Sequence, residues 1–186
     1  MNIDAGRALA SAVVMIAIGV ATPAGAVLDV GQSAPVFEAQ AALGGKTFDY
    51  SLAAALARGP VVVYFFPAAF TKGCSAEAHA FAEAIDQFTA AGALVIGVST
   101  DDLDTLAKFS TQACQSRFPV ASDAGLSISK SFDALMQTRP DYATRVSYVI
   151  ASDGKVVAEY QSLNPDLHVE KMLEAVRALP ANHGRK

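Results

Sequence analysis

Cysteine and histidine are scarce in this chain, with two of the first and three of the second among 186 residues. Two cysteines are too few for a disulfide framework or for a four-thiolate zinc site. The histidines, His79, His168 and His183, are scattered well apart, so no metal and no cofactor is expected. A basic excess is missing as well: 14 Lys and Arg stand against 18 Asp and Glu, the net charge is -4, and no run of Lys or Arg occurs. That removes the electrostatic footprint of a nucleic-acid binder and points to a small-molecule partner. What is plentiful is apolar sequence, 52% of the chain. The length suits one domain of ordinary size that buries a core without staples.

Part of the apolar excess is an address. Ala8 to Thr22 carries no charge, follows a short head containing Arg7, and ends in Pro23 and the small-residue run Ala24-Gly25-Ala26. The stretch is short for a membrane span, which needs roughly 20 residues. It reads as a signal peptide, residues 1–26, cleaved after Ala26. Residues 27–186 then form the mature domain, exported to an oxidising, periplasmic compartment with no stable membrane insertion after cleavage. Asp4 weakens the positive head, and an uncleaved anchor is the other reading.

No internal repeat or long linker follows residue 27. Pro60 to Phe66, a β-branched and aromatic run between Gly59 and Pro67, is apolar on both faces and reads as a central, covered strand. Phe81, Ile85 and Phe88 recur at helical spacing from Cys74 to Ala90, where Gly92 stops the helix. Ala93 to Val98 is a second buried strand, and Asp101 or Asp102 caps a helix that runs to about Ser116. Strand, helix, strand, helix implies parallel strands with right-handed crossovers. Phe118 to Ala121 reads as a short strand and Leu126 to Leu135 as a short helix. Val146 to Ile150 and Lys155 to Tyr160, separated by Ser152-Asp153-Gly154, form a hairpin. A closing helix spans about Asp166 to Leu179, with Val169, Met172, Leu173 and Val176 on its apolar face. The expected fold is α/β, with a mixed central sheet flanked by helices.

The chemistry gathers at Pro67-Ala68-Ala69-Phe70-Thr71-Lys72-Gly73-Cys74-Ser75-Ala76-Glu77, where a buried strand ends and a helix begins. In the first helical turn, unpaired N–H groups and the helix dipole favour an anion, and a thiolate is one. Gly73 permits close approach of the backbone, and Thr71 supplies a hydroxyl at the same turn.

Pro67, Thr71 and Cys74 reproduce the Pro-x-x-x-Thr-x-x-Cys signature of peroxiredoxins, and Glu77 extends it. The resemblance covers nearly all of the mature chain, from Gly31-Gln32-Ser33-Ala34-Pro35-Val36-Phe37 to Asp153-Gly154-Lys155. Arg145, just before the strand at Val146, falls where that family places its active-site arginine. The branch it is most similar to is the bacterioferritin comigratory, or Q-type, one. The resemblance implies a thioredoxin-like fold and reduction of hydrogen peroxide or an organic hydroperoxide by a Cys74 thiolate, which becomes a sulfenic acid. Arg145 would stabilise both thiolate and peroxide, Thr71 and the Cys74 N–H would hold the peroxide, and Pro67 would shield the sulfur. Gly73 and Phe70 would line the substrate site, and Glu77 would cap the helix or hold Arg145.

Q-type relatives often carry a resolving cysteine five residues after the reactive one, where this chain has His79. Cys114 is the other thiol. It is the favoured resolver, through an intramolecular Cys74–Cys114 disulfide; a one-cysteine cycle with an external thiol and an intersubunit bond are the alternatives. The reductant would be a thioredoxin-like protein or a small thiol, and the protein a monomer or homodimer. Two other functions use the same fold. A thiol–disulfide oxidoreductase wants Cys-x-x-Cys, whereas this chain has Cys74-Ser75-Ala76-Glu77; a non-enzymatic redox-sensing module would use Cys74 only as a signal. Taken singly, Arg145 could be a surface ion-pair residue with Arg139 as its competitor, and Cys114 an inert core filler. His168 reads as solvated, and a metal shared by His79 and Cys74 is geometrically poor.

Overall fold

The computed structural model of the protein describes residues 27–180. The leader 1–26 and the tail 181–186, with His183, lie outside them. The chain enters through a hairpin, β1 (Glu38–Leu43) and β2 (Lys46–Ser51). Its two-residue turn is Gly44-Gly45, both with positive φ, a turn that glycine makes without strain. That dipeptide is the hairpin's local mark in the sequence. A short helix α1 (Leu52–Leu56) follows, capped by the Ser51 hydroxyl.

Next come β3 (Val61–Phe65), α2 (Lys72–Ala90), β4 (Leu94–Ser99), α3 (Leu103–Gln112) and β5 (Val120–Ser122). β4 lies parallel to both β3 and β5. A short helix α4 (Ser127–Ser131) leads to a small ribbon, β6 (Leu135–Met136) with β7 (Arg139–Ala143). The hairpin β8 (Val146–Ile150) and β9 (Val156–Gln161) and the helix α5 (His168–Ala178) complete the chain. The main sheet has seven strands in the order β2-β1-β5-β4-β3-β8-β9. β8 joins β3 antiparallel, so the sheet is mixed as expected.

Every residue of β3 is buried, and alternation divides its side chains between two cores. Val62 and Tyr64, with Phe66 just beyond, meet Phe81, Phe88, Phe109 and Met172 under α2, α3 and α5. Val61, Val63 and Phe65 meet Leu52, Ile96, Phe132 and Tyr148 on the other face. A sheet covered on both sides needs strands apolar on both sides, and β3 and β4 supply them.

Three boundaries differ from the sequence reading for local reasons. α3 stops at Gln112, short of Ser116, because Gln115 and Ser116 both take left-handed backbone, with φ of 52° and 58°. α4 ends at Ser131, well before Leu135, since Asp133 is also left-handed and residues 135–136 pair with β7. α2 begins two residues earlier than Cys74, with Thr71 at its N-cap position.

Candidate active site

Cys74 is the third residue of α2 and only 1% exposed. The strand β3 ends one residue before Phe66-Pro67, and the loop to Thr71 turns sharply at Phe70, whose φ is 63°. Asp101 braces that loop from the end of β4. Its Oδ2 accepts from the Ala69 N–H and from the Ser99 hydroxyl, both at 2.7 Å. The two aspartates that looked like alternative caps have separate jobs: Asp102 caps α3 through the Thr105 N–H at 2.8 Å, and Asp101 anchors the cysteine loop.

Arg145 enters from the head of β8 and is 5% exposed. Its Nη2 donates to Cys74 Sγ at 3.1 Å, its Nη1 to Glu77 Oε2, and its Nε to the Leu163 carbonyl at 3.1 Å. Three acceptors, two on α2 and one in the segment before α5, fix the plane of the guanidinium, which an ammonium would not achieve. Gly73 leaves the room for it, since a Cβ there would sit 3.2 Å from Nη2. Burial alone would push the Arg145 guanidinium down, but Glu77 and Cys74 beside it more than offset this and hold it above its ordinary value. Burial pushes the Glu77 carboxyl up to about 8 against the pull of Arg145. Arg139, the competing arginine, instead lies on exposed β7 with its guanidinium 4.8 Å from the Tyr142 ring.

The other sequence candidates fall around this centre. Glu77 holds Arg145 and caps nothing. Thr71 occupies the N-cap position, but its hydroxyl donates to the Ala68 carbonyl at 3.0 Å and does not cap the helix. Pro67 is half-buried, and Phe70 is 46% exposed with its ring edge-on to Phe109. Phe70 lines an open hollow of about 550 Å³ with Ser75, His79, Gln112 and Ala113, on the α3 side of α2. Cys114 lies just beyond α3, fully buried, and both cysteines are free thiols. Burial pushes the Cys114 thiol up. The buried Tyr64 hydroxyl is pushed up by burial, then by Cys114, Glu77 and Cys74 nearby. His79 is on the surface, 2.7 Å from Gln115 Nε2 and 3.4 Å from Glu83.

One correction changes the site. His168, read as solvated, is fully buried, with Nδ1 2.8 Å from Ser147 Oγ and 3.5 Å from Glu77 Oε1. The signal was present: His168, Met172 and Val176 recur every fourth residue on the apolar stripe of α5.

Residues 30–159 match the AhpC/TSA family. The chain belongs to the AhpC/TSA peroxiredoxin family. It is 34% identical over 133 residues to a Mycobacterium tuberculosis protein named as a peroxiredoxin, covering 69% of this chain and 84% of that one. Peroxiredoxin Q of Populus jackii chloroplasts is 33% identical over 121 residues, 64% of this chain and 56% of that longer protein. Among solved structures, the peroxidoxin BcpB of M. tuberculosis superposes with a TM-score of 0.73 at 30% identity, covering 81% of this chain and 97% of that one. The reduced 2-Cys peroxiredoxin of Plasmodium vivax gives 0.71 at 25% identity, with coverage of 80% and 94%. The peroxiredoxin fold is thioredoxin-like, and its activity is thiol-dependent peroxide reduction, so this peroxiredoxin is an oxidoreductase acting on peroxides with thiol reductants.

Proposed function

We propose that Cys74 is the sulfur that attacks the peroxide. The supporting observation is the charge-assisted hydrogen bond from Arg145 to Cys74 Sγ at 3.1 Å in a buried setting, where such a bond is strong. In this reading the Cys74 thiolate attacks one oxygen of hydrogen peroxide or an organic hydroperoxide and the O–O bond breaks. The departing oxygen takes a proton to leave as water or alcohol, and Cys74 becomes a sulfenic acid. Arg145 stabilises the charge as it passes from sulfur to oxygen. Thr71 and the Cys74 N–H hold the peroxide, Pro67 shields the sulfur, Gly73 gives Arg145 its approach, and Phe70 edges the substrate site. Glu77 supports Arg145.

Resolution by Cys114 completes the cycle: its sulfur displaces the sulfenic oxygen as water and forms the Cys74–Cys114 disulfide. An external thiol, a thioredoxin-like protein or a small thiol, then reduces it. Both sulfurs are buried, so reduction of the disulfide by an external thiol needs local opening, and the bond itself needs Cα atoms within about 7 Å. The left-handed residues Gln115 and Ser116 directly after Cys114 support that movement, because such backbone is strained for residues with a Cβ. The raised Cys114 thiol favours the second reading, a one-cysteine cycle in which the external thiol attacks the sulfenic acid directly. We also propose, on sequence alone, that residues 1–26 are a signal peptide cleaved after Ala26, that the enzyme works in the periplasm, and that it is a monomer or homodimer.

Peroxide turnover by residues 27–186 with candidate reductants, beside Cys74→Ser and Cys114→Ser, tests the assignment. Cys74→Ser should lose turnover and Cys114→Ser should stop after one equivalent of peroxide. Full turnover by Cys114→Ser establishes the one-cysteine cycle, and peroxide consumption by Cys74→Ser equal to the parent's rejects Cys74. Intact mass of the secreted protein tests the leader; retention of residues 1–26 rejects cleavage.

A further inference from the structure

Arg145 uses one end of the Glu77 carboxylate. The other oxygen, Oε1, is buried without a hydrogen-bond partner, and 3.5 Å away stands Nδ1 of His168. Both side chains are fully enclosed. An unpaired buried carboxylate oxygen is costly, so the protons at this contact matter. His168 Nε2 lies 3.0 Å from the Ser162 carbonyl oxygen, which can only accept. Nε2 therefore carries a proton. In a neutral ring Nδ1 then presents a single lone pair, which takes one donor, either the Ser147 hydroxyl at 2.8 Å or a protonated Glu77 Oε1 at 3.5 Å. An ionised Glu77 would face that lone pair with another. One proton on either atom turns the repulsion into a hydrogen bond.

We propose that Glu77 and His168 share one proton across the Oε1–Nδ1 contact, and that His168 is thereby a positioning residue for the peroxide reaction. The inference rests on Cys74 being the attacking sulfur. Charge balance supports it. With the Cys74 thiolate and the Arg145 cation in place, the shared proton leaves a neutral buried cluster, whereas its loss leaves an uncompensated negative charge. Glu77 Oε2 still accepts from Arg145 when Oε1 is protonated, so the guanidinium keeps its orientation while its charge is left to the sulfur. Losing the proton makes Glu77 a rival anion for Arg145. Burial moves Glu77 upward and His168 downward, and both directions place the proton on the carboxyl at neutral pH. The groups facing the pair are Cys74 on α2, Arg145 at the head of β8, Tyr64 from β3, and Tyr160 from β9, whose ring stands edge-on to His168 at 4.8 Å.

The test is the second-order rate of oxidation of the reduced protein by hydrogen peroxide, followed by stopped flow across the neutral and alkaline range. The parent should show a falling alkaline limb near pH 8, where the pair loses its proton. His168→Leu removes the acceptor that stabilises protonated Glu77. The limb should then move about one unit toward acid, so that the rate near pH 9 falls about tenfold while the rate at pH 7 falls only about twofold. His168→Asn, whose amide oxygen can take the same hydrogen bond, should recover to within about threefold near pH 9. A limb that stays at the parent's position in His168→Leu, even at reduced rate, reduces His168 to core packing. Should His168→Leu not fold, nitrogen NMR of the parent and of Ser147→Ala decides. An imidazole protonated at Nε2, with an Nδ1 that stays strongly hydrogen-bonded in Ser147→Ala, is expected, and a free Nδ1 in that variant overturns the proposal. Cys74→Ser reacting like the parent would instead remove the Cys74 assignment and leave the proton at the contact untouched.

Discussion

Arg145 spends each of its three nitrogens on a different acceptor: sulfur on α2, a carboxylate one turn later, and a carbonyl before α5. The spacing of Cys74 and Glu77, three residues apart, places both on one helical face so that one planar fork can reach them. A lysine would bring the charge but not the fork. Arg145→Lys should therefore keep the fold and slow oxidation of Cys74 by about 10²-fold, the usual consequence of removing a preorganised donor. Stopped-flow rates on the two reduced proteins check this, and a loss smaller than about threefold would mean that charge alone suffices. Cys74 and Glu77 stood out as candidates in the sequence because their neighbours form a motif with one chemical use, and Arg145 stood out through the family resemblance; the fold brings the three together. His168 and Asp101 did not stand out. A histidine at the start of a helix and an aspartate before one both have commoner solvated or capping roles, and only the packing of α5 on β8 and of the loop on β4 selects the buried ones.

Two elements meet tightly where β3 pairs with β4. Gly97 pairs with Tyr64 in register, and the Tyr64 ring lies over it so that a Cβ on Gly97 would come within 2.8 Å of the ring. The ring is also stacked on Phe81 and Phe66, at 4.4 and 5.5 Å, and has no free direction to move. Gly97→Ala should overpack the core by about 1–3 kcal/mol. For a protein of this size that lowers Tm by about 2–4 °C per kcal/mol. Thermal unfolding followed by circular dichroism measures it, and an unchanged Tm would show that Tyr64 can shift. Strand and helix identities were readable for the long periodic runs, β3, α2, β4, β8 and α5. The ribbon β6–β7 was not, because Arg139 to Ala143 shows no alternation and its pairing comes from a neighbour several residues away.

For the molecule as a whole, Glu77 makes stability depend on pH. Its carboxyl titrates near 8 when folded and near the ordinary 4.5 when unfolded, so between these values the native state holds the extra proton. Stability from this group is full at low pH and is lost as pH rises toward 8. His168, whose folded value lies below the ordinary 6.5, acts with the opposite sign, gaining stability as pH climbs to 6.5 and adding nothing further above it. Between about pH 6.5 and 8 the Glu77 effect therefore stands apart. Glu77→Gln, which cannot ionise, should lose less stability over that interval than the parent in urea titrations at both ends; parallel losses would contradict the buried proton. The sequence by itself determined the strand and helix order of the centre, the cysteine that begins a helix, and the family, because local periodicity and a contiguous motif carry those. Only the tertiary structure decided that His168 and Ser147 stand behind Glu77, that Asp101 braces the cysteine loop, and that Cys114 is walled into the core. Each of these depends on which faces of distant elements are pressed together; the spacing of one segment shows which of its faces is apolar, as His168, Met172 and Val176 do, but not what that face meets.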